Sequence, residues 1–208
     1  MRRVGWGLRV GALLLVVGSV AEADVLSGRA LLDELRRGGY VLFLRHGAAV
    51  TGHRPHAVAE LPAEFRDCRG RERPLTEAGV AQIRAVGEAV RSLGIPIGRV
   101  LASPACRCIE TAWYAFGRAE VAPELMGLWG ADVTEEDKRR RAATLRRMLA
   151  TSPTPGTNAI LSAHVSNILA AVELSLDEGE ALVFQPDGGG AFRLVGRVKT
   201  DGWPALER

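Results

Sequence analysis

The chain has 208 residues, a length that suits one domain with a sizeable core. Its formal net charge is +3, but the first 23 residues carry part of that charge. Without them, 24 basic and 23 acidic residues remain, so the composition gives no reason to expect a nucleic-acid or other polyanionic partner.

The first 23 residues have the three regions of a secretory signal peptide. Three arginines are followed by an apolar run at residues 10–20 and by the small-residue cleavage site Ala21-Glu22-Ala23. The apolar run is short for a membrane span. We therefore expect cleavage after Ala23, a mature domain over residues 24–208, and a periplasmic or secreted protein without membrane attachment. An uncleaved anchor is the competing interpretation, and the Arg2-Arg3 pair leaves twin-arginine export open.

The elements that follow alternate between strands and helices. Ser27 is a candidate cap for a short helix that ends at Gly38-Gly39. Residues 40–44 are an apolar run typical of a fully buried strand, and Arg45-His46-Gly47 follows, with Gly47 expected to let the backbone turn. Residues 48–73 form an irregular segment, and Thr76 is placed to cap the helix that follows it.

The second half continues the alternation. Residues 100–102 are a second apolar strand that stops at Ser103-Pro104, before a helix carrying Arg107. A short strand at 120–122 and a helix over about 134–150 precede a third core strand, residues 159–163, which ends in His164. A helix at 166–174 and a hairpin over 181–198 complete the chain. The alternation predicts a three-layer αβα sandwich with a mainly parallel sheet.

Four side chains at the ends of core segments suggest phosphate chemistry. An imidazole such as His46 or His164 is a nucleophile toward phosphorus, and the guanidinium groups of Arg45 and Arg107 suit phosphate oxygens. Ligands bind at the carboxyl ends of strands in open α/β sheets, where these residues are predicted to lie. His53 and His56 have no strand before them and are interpreted as surface residues. The cysteine and histidine spacing matches no zinc site, and neither a metal nor a cofactor is expected.

These motifs occur in an order that resembles the histidine phosphatase superfamily, which has the phosphoglycerate mutase-like fold. The motifs are Arg45-His46-Gly47, the run Ser-Pro-x-x-Arg-x-x-Glu-Thr-Ala at 103–112, and a strand ending in His164. The likeness extends over about residues 29–203. An Asp-Cys pair at 67–68 is similar to the exported bacterial branch of that superfamily. Ala163 departs from it, because a glycine usually precedes the second histidine.

The resemblance implies an enzyme, a phosphomonoesterase that acts on a small phosphorylated substrate through a phosphohistidine on His46. It also implies that Arg45, Arg107 and His164 bind the phosphate oxygens, together with the Val165 amide and Asn167. A disulfide between Cys68 and Cys106 is implied as well. The alternative is that all three cysteines are free thiols. In either case Cys108 stays outside a disulfide.

The sequence departs from the family at the position of the general acid. The family commonly has a glutamate two residues after a leucine beyond the third strand, where it protonates the leaving group. Here that leucine is Leu125, and Gly127 stands in the place of the acid. Glu124 is the first candidate instead, followed by Asp132 and Glu64.

A phosphate-binding module of the same fold, with little or no turnover, therefore remains the alternative function, and a phosphosugar mutase ranks below both. The segments 48–73 and 123–134 are expected to shape the substrate site.

Overall fold

The computed structural model describes residues 25–51, 61–70 and 73–208. The predicted signal peptide and the histidines at positions 53 and 56 lie outside these residues. The described strands are β1 Val41–Arg45, β2 Ile97–Ala102, β3 Glu120–Val121, β4 Asn158–Ala163, β5 Ala181–Pro186 and β6 Phe192–Val198. The described α-helices are α1 Gly28–Arg37, α2 Glu77–Ser92, α3 Cys106–Phe116, α4 Glu135–Leu149 and α5 Val165–Val172. Short 3₁₀ helices are formed by Ala63–Gly70, Pro123–Leu125 and Trp203–Glu207.

The six strands form one sheet in the order β3-β2-β4-β1-β5-β6. The pairs β3-β2, β2-β4 and β4-β1 are parallel, whereas β5 runs antiparallel to both of its neighbours. Within the described sheet, five strands therefore share one direction. The mainly parallel sheet and the carboxyl-terminal hairpin are as predicted.

Helices cover both faces of the sheet, which explains the uninterrupted apolar run of β1. Successive side chains of a strand point to opposite faces. Leu42 and Leu44 pack in the core formed with α1, α2 and α3, while Val41 and Phe43 pack in the core formed with α4 and α5. The three-layer αβα architecture is confirmed. Among the described helices, none is both long and apolar enough to cross a bilayer.

The pairing register brings the carboxyl ends of three strands together. Arg45 at the end of β1 lies opposite Ala163 of β4, and Ala102 of β2 lies opposite Ser162 of β4. The ladder continues for one residue beyond each strand, since the His46 amide donates to the Ala163 carbonyl at 3.1 Å. The predicted convergence of these ends on one side of the sheet is therefore present.

Local sequence signals were right at two helix starts and wrong in two details. Thr76 caps α2 and Thr134 caps α4, each by accepting a hydrogen bond from a first-turn amide. Ser27 precedes α1, but its side chain makes no capping hydrogen bond. Gly47 does not have a positive φ. A glycine fits here because a larger residue would be too close to α2: a Cβ at position 47 would lie 2.6 Å from a side-chain carbon of Ile83.

Candidate active site

His46 lies directly after β1 and is almost fully buried, with 5% of its surface exposed. Its Nδ1 lies 2.8 Å from the Gly47 carbonyl oxygen. A carbonyl only accepts hydrogen bonds, so Nδ1 carries the proton and Nε2 keeps its lone pair. Burial, together with the charges of nearby arginines, lowers the pKa of His46 to about 3. The ring is therefore neutral around pH 7.

His164 follows β4 and lies beside His46, with 5.4 Å between the ring centroids. Its Nδ1 is 3.3 Å from an Nη2 atom of Arg107, and its Nε2 is 2.9 Å from the Ser103 hydroxyl. A guanidinium only donates, so Nδ1 accepts and Nε2–H donates to Ser103. Burial, assisted by the charge of Arg107, lowers the pKa of His164 to about 2. Both rings are neutral, and positive charge at the site comes from arginines.

Three guanidinium groups lie near enough to the histidine pair to act on its pKa values. Arg45 and Arg107 were predicted to be there. The charge of Arg73 also lowers the pKa of both histidines, so it lies near enough to act on them. The buried carboxylate of Glu110 accepts from the Leu75 amide at 2.6 Å, which ties the segment carrying Arg73 to α3. This arrangement suits a ligand with two negative charges.

The turn between α5 and β5 forms a wall that the sequence did not reveal. The Leu176 carbonyl accepts from Nη1 of Arg45 at 2.6 Å. A carboxylate oxygen of Glu178 lies 3.7 Å from Nη2 of Arg45 and 4.0 Å from Nδ1 of His46. The Gly179 amide donates to the carbonyls of both Arg45 and His46, which fixes this turn against the end of β1. Glu178 is thus the carboxylate seen next to the histidine pair among the described residues.

Trp129 occupies the side of the site where the family acid was expected. Its ring makes an edge contact with the His164 ring at 4.4 Å between centroids. The guanidinium carbon of Arg107 lies 4.8 Å from the centre of the indole ring, which is a cation–π geometry. A Cβ at Gly127 would lie 1.4 Å from a ring carbon of Trp129. The missing side chain at Gly127 is therefore what makes room for the indole.

Two of the remaining predicted residues, Asn167 and Val165, lie next to His164, whereas Glu124 does not line the site. The Asn167 side chain accepts from the His164 amide at 3.3 Å and donates to the Met126 carbonyl at 3.0 Å, so it joins α5 to the loop before Trp129. Val165 begins α5 directly after His164.

Glu124 makes no hydrogen bond or ion pair among the described residues. It is exposed and lines a cavity under α4 whose lining omits both site histidines and both predicted phosphate arginines. Its role as an acid stays a prediction.

The cysteines agree with the predicted pairing. Cys68 and Cys106 form a disulfide with their Cα atoms 5.1 Å apart, which links the 3₁₀ helix Ala63–Gly70 to the first residue of α3. Cys108 is buried and lies outside the disulfide, with its sulfur 3.4 Å from Nε2 of His164. In the described part of the chain, no group of three or more His, Cys, Asp or Glu side chains is arranged to hold a metal ion.

Comparison with known sequences finds a family model that matches part of the chain. Residues 41–129 match the model of the histidine phosphatase superfamily, branch 1. Over 42 residues the chain is 50% identical to an ecdysteroid-phosphate phosphatase of Bombyx mori, a match that covers 20% of this chain and 6% of that protein. The chain thus matches only a small part of the length of that relative.

Solved structures share the fold at low sequence identity. The protein histidine phosphatase SixA in complex with tungstate has a TM-score of 0.54 at 19% identity, covering 78% of this chain and 97% of that one. The ecdysone phosphate phosphatase of Bombyx mori in complex with tungstate has a TM-score of 0.54 at 17% identity, covering 76% and 92%. A phosphoserine phosphatase of Entamoeba histolytica with 3-phosphoglyceric acid has a TM-score of 0.53 at 11% identity, covering 79% and 98%. The family model supports the resemblance to the histidine phosphatase superfamily over residues 41–129, and the solved structures show that the fold is shared.

Proposed function

We propose that this chain is an exported phosphomonoesterase that hydrolyses a small phosphorylated substrate through a phosphohistidine on His46. The observation that carries the proposal is the state of the His46 ring. Its Nδ1–H is held by the Gly47 carbonyl, and burial beside arginines keeps it neutral. A neutral imidazole with one nitrogen fixed and the other free is what a nucleophile toward phosphorus requires.

The surrounding charges support a phosphate ligand. The buried Nε of Arg45 has no acceptor among the described residues, although buried donors are usually paired. A phosphate oxygen is a suitable acceptor for Arg45, and Arg107 and Arg73 add positive charge on the same pair of histidines. The first-turn amide of Val165 completes the set of proposed phosphate ligands, and the ring of His164 joins it when its Nε2–H turns from the Ser103 hydroxyl to a phosphate oxygen.

The reaction has two steps. Nε2 of His46 attacks phosphorus in line, the N–P bond forms, and the P–O bond to the leaving group breaks with its electron pair going to the leaving oxygen. That oxygen takes up a proton from water or from an acid. Water then attacks the phosphohistidine, the N–P bond breaks, a proton passes to the medium and inorganic phosphate leaves. Arg45, Arg107 and His164 stabilise charge on the equatorial oxygens in both steps.

Export is the second part of the proposal. It rests on the signal-peptide pattern of residues 1–23, and the Cys68–Cys106 disulfide is consistent with an oxidising compartment. The mature protein then begins at Asp24 and forms one histidine phosphatase domain over residues 24–208. Amino-terminal sequencing of the exported protein tests the cleavage site, and an intact Met1 in a membrane fraction would indicate an anchor.

Trapping of the intermediate tests the chemistry. Wild-type protein mixed with labelled phenyl phosphate and quenched in acid should carry label on His46, and chase with unlabelled substrate should remove it. His46→Ala is expected to abolish both labelling and hydrolysis. Arg107→Ala and His164→Ala should each slow turnover about 10²-fold or more, the effect of losing one preorganised donor to transition-state charge.

A phosphate-binding module is the second candidate, favoured by Gly127 in the place of the family acid. Wild-type protein that binds phosphate but shows neither label nor hydrolysis would support the binding module and contradict the enzyme. Circular dichroism of each variant separates loss of chemistry from loss of the fold.

A further inference from the structure

The loop after the 3₁₀ helix Pro123–Leu125 places an aromatic ring at the rim of the site. Trp129 contacts both His164 and Arg107, which are proposed to bind phosphate. The residue nevertheless remains 44% exposed. An indole that is anchored on phosphate ligands and also open to solvent is positioned to contact the organic part of a bound phosphate ester.

The loop that carries this ring is held by both neighbouring helices. The Leu128 amide donates to the Ser166 hydroxyl of α5 at 3.1 Å. Arg141 of α4 donates from Nη1 to the carbonyl of Gly127 at 3.2 Å. These bonds lie directly before Trp129 in the chain, so the indole has a fixed support. A preorganised aromatic ring costs little conformational entropy when a ligand binds to it.

The same ring explains a chemical limit of the site. A side chain at Gly127 and the indole of Trp129 exclude each other, so the place of the family acid is filled by an apolar group. Without an acid there, we expect the leaving oxygen to depart as an anion and to be protonated afterwards. A phenol has a pKa near 10, as tyrosine does, whereas an aliphatic alcohol is closer to water, with a pKa of about 15.7. Phenolate therefore leaves far more readily than an alkoxide.

We propose that Trp129 forms a leaving-group subsite that selects aryl phosphates, the monoesters of phenols. This inference rests on the proposed phosphatase function and names its substrate class. The phosphoryl group passes from the phenolic oxygen to Nε2 of His46. The P–O bond breaks with its electron pair on the oxygen, and the phenolate takes a proton from water. Trp129 contacts the aromatic ring and does not take part in proton transfer.

Binding of phosphonates, which cannot be hydrolysed, tests the subsite without any need for turnover. Isothermal titration of wild-type protein with 2-naphthylphosphonate, phenylphosphonate and ethylphosphonate should give affinities that fall in that order. The naphthyl compound is expected to bind about tenfold or more tightly than the ethyl one. Trp129→Ala should remove most of this difference, and Trp129→Phe should restore part of it.

Trp113 provides a matched control. It lies on α3, is half-buried, and contacts Phe65 at 6.4 Å between ring centroids, away from the histidine pair. Trp113→Ala should leave the ratio of naphthyl to ethyl affinities unchanged. A loss of affinity for all three phosphonates by the same factor in Trp129→Ala would overturn the proposal, since it would mean that the indole only holds Arg107 and His164 in place.

Hydrolysis gives an independent readout. Wild-type kcat/KM should be at least 10²-fold higher for phenyl phosphate than for ethyl phosphate, and KM for 2-naphthyl phosphate should rise about tenfold in Trp129→Ala. Equal rates for ethyl and phenyl phosphate would reveal an effective acid and refute the proposal. If no ester is hydrolysed but the phosphonate preference is present, the phosphatase function fails while the aromatic subsite stands.

Discussion

At the scale of single residues, the site depends on keeping imidazoles uncharged among arginines. His46 and His164 are both buried and both close to Arg107, so protonation of either ring is disfavoured. Phosphorylation of His46 at Nε2 with Nδ1–H retained would make this ring cationic in the same unfavourable place. The carboxylate of Glu178, 4.0 Å from Nδ1, is suited to offset that charge.

We predict that Glu178→Gln lowers kcat about tenfold, because the variant removes the negative charge that would stabilise the cationic phosphohistidine 4.0 Å away. The effect is limited to this size because the Glu178 side chain is 34% exposed and its charge is partly screened. KM should fall, since removal of a negative charge near Arg45 favours binding of a phosphate dianion. Steady-state kinetics with phenyl phosphate measure the two effects, and rapid acid quench measures the rate of labelling of His46.

Asp177→Asn is the matched control for this variant. Asp177 lies on the same turn and is exposed, and no hydrogen bond or ion pair joins its side chain to His46 among the described residues. It removes the same charge and should leave kcat and KM within about twofold of wild type. Equal effects of the two variants would show a long-range charge effect and would argue against a specific role for the Glu178 charge beside His46.

At the scale of elements, the sequence predicted the strand ends well because their signals are local. A buried strand requires apolar residues on both faces, and Arg45-His46 and His164 follow such strands directly in the chain. Glu178 and Trp129 come from turns instead, and their positions depend on which elements those turns pack against. Only one hint was available: Gly127 stands where the family has an acid, which indicates that a neighbouring group fills that space.

The disulfide acts on the element that carries Arg107. It connects Cys68 to the first residue of α3 across a sequence separation of 38 residues. A crosslink of this span is expected to stabilise the fold by about 2–4 kcal/mol, mainly by restricting the unfolded chain. Cys68→Ala/Cys106→Ala should therefore lower the free energy of unfolding by about this amount, measured by urea titration of both proteins without reductant.

Reductant provides the control for that experiment. Dithiothreitol should destabilise the wild type by a similar amount and leave the double variant unchanged. Cys108→Ala should keep the full sensitivity to reductant, because Cys108 is not part of the disulfide. A wild type whose urea midpoint does not respond to dithiothreitol would contradict the disulfide in solution.

At the scale of the whole molecule, function and stability are linked through the central position of β1. This strand is buried on both faces and lies between β4 and β5, so the residue after it has little access to water. Burial keeps His46, the proposed nucleophile, neutral over a wide pH range. The same burial means that folding requires two imidazoles to stay unprotonated, whereas the unfolded chain protonates them freely.

We therefore predict that stability falls as the pH decreases below about 6.5, the pKa of an unfolded histidine. The folded pKa values are about 3 for His46 and about 2 for His164, so between pH 6.5 and about 3 the unfolded chain binds protons that the folded chain does not. Each histidine then costs about 1.4 kcal/mol of stability per pH unit.

The carboxylate of Glu180, whose pKa is lowered chiefly by its hydrogen bond from Arg197, contributes only below about pH 4.5, so the interval from pH 6.5 to 5 reports the histidines. Urea midpoints across that interval should decrease in the wild type, about half as steeply in His46→Gln or His164→Gln, and hardly at all in the double variant. Equal slopes in all four proteins would show that the two imidazoles are already accessible to protons in the folded state, and the neutral nucleophile would lose its basis.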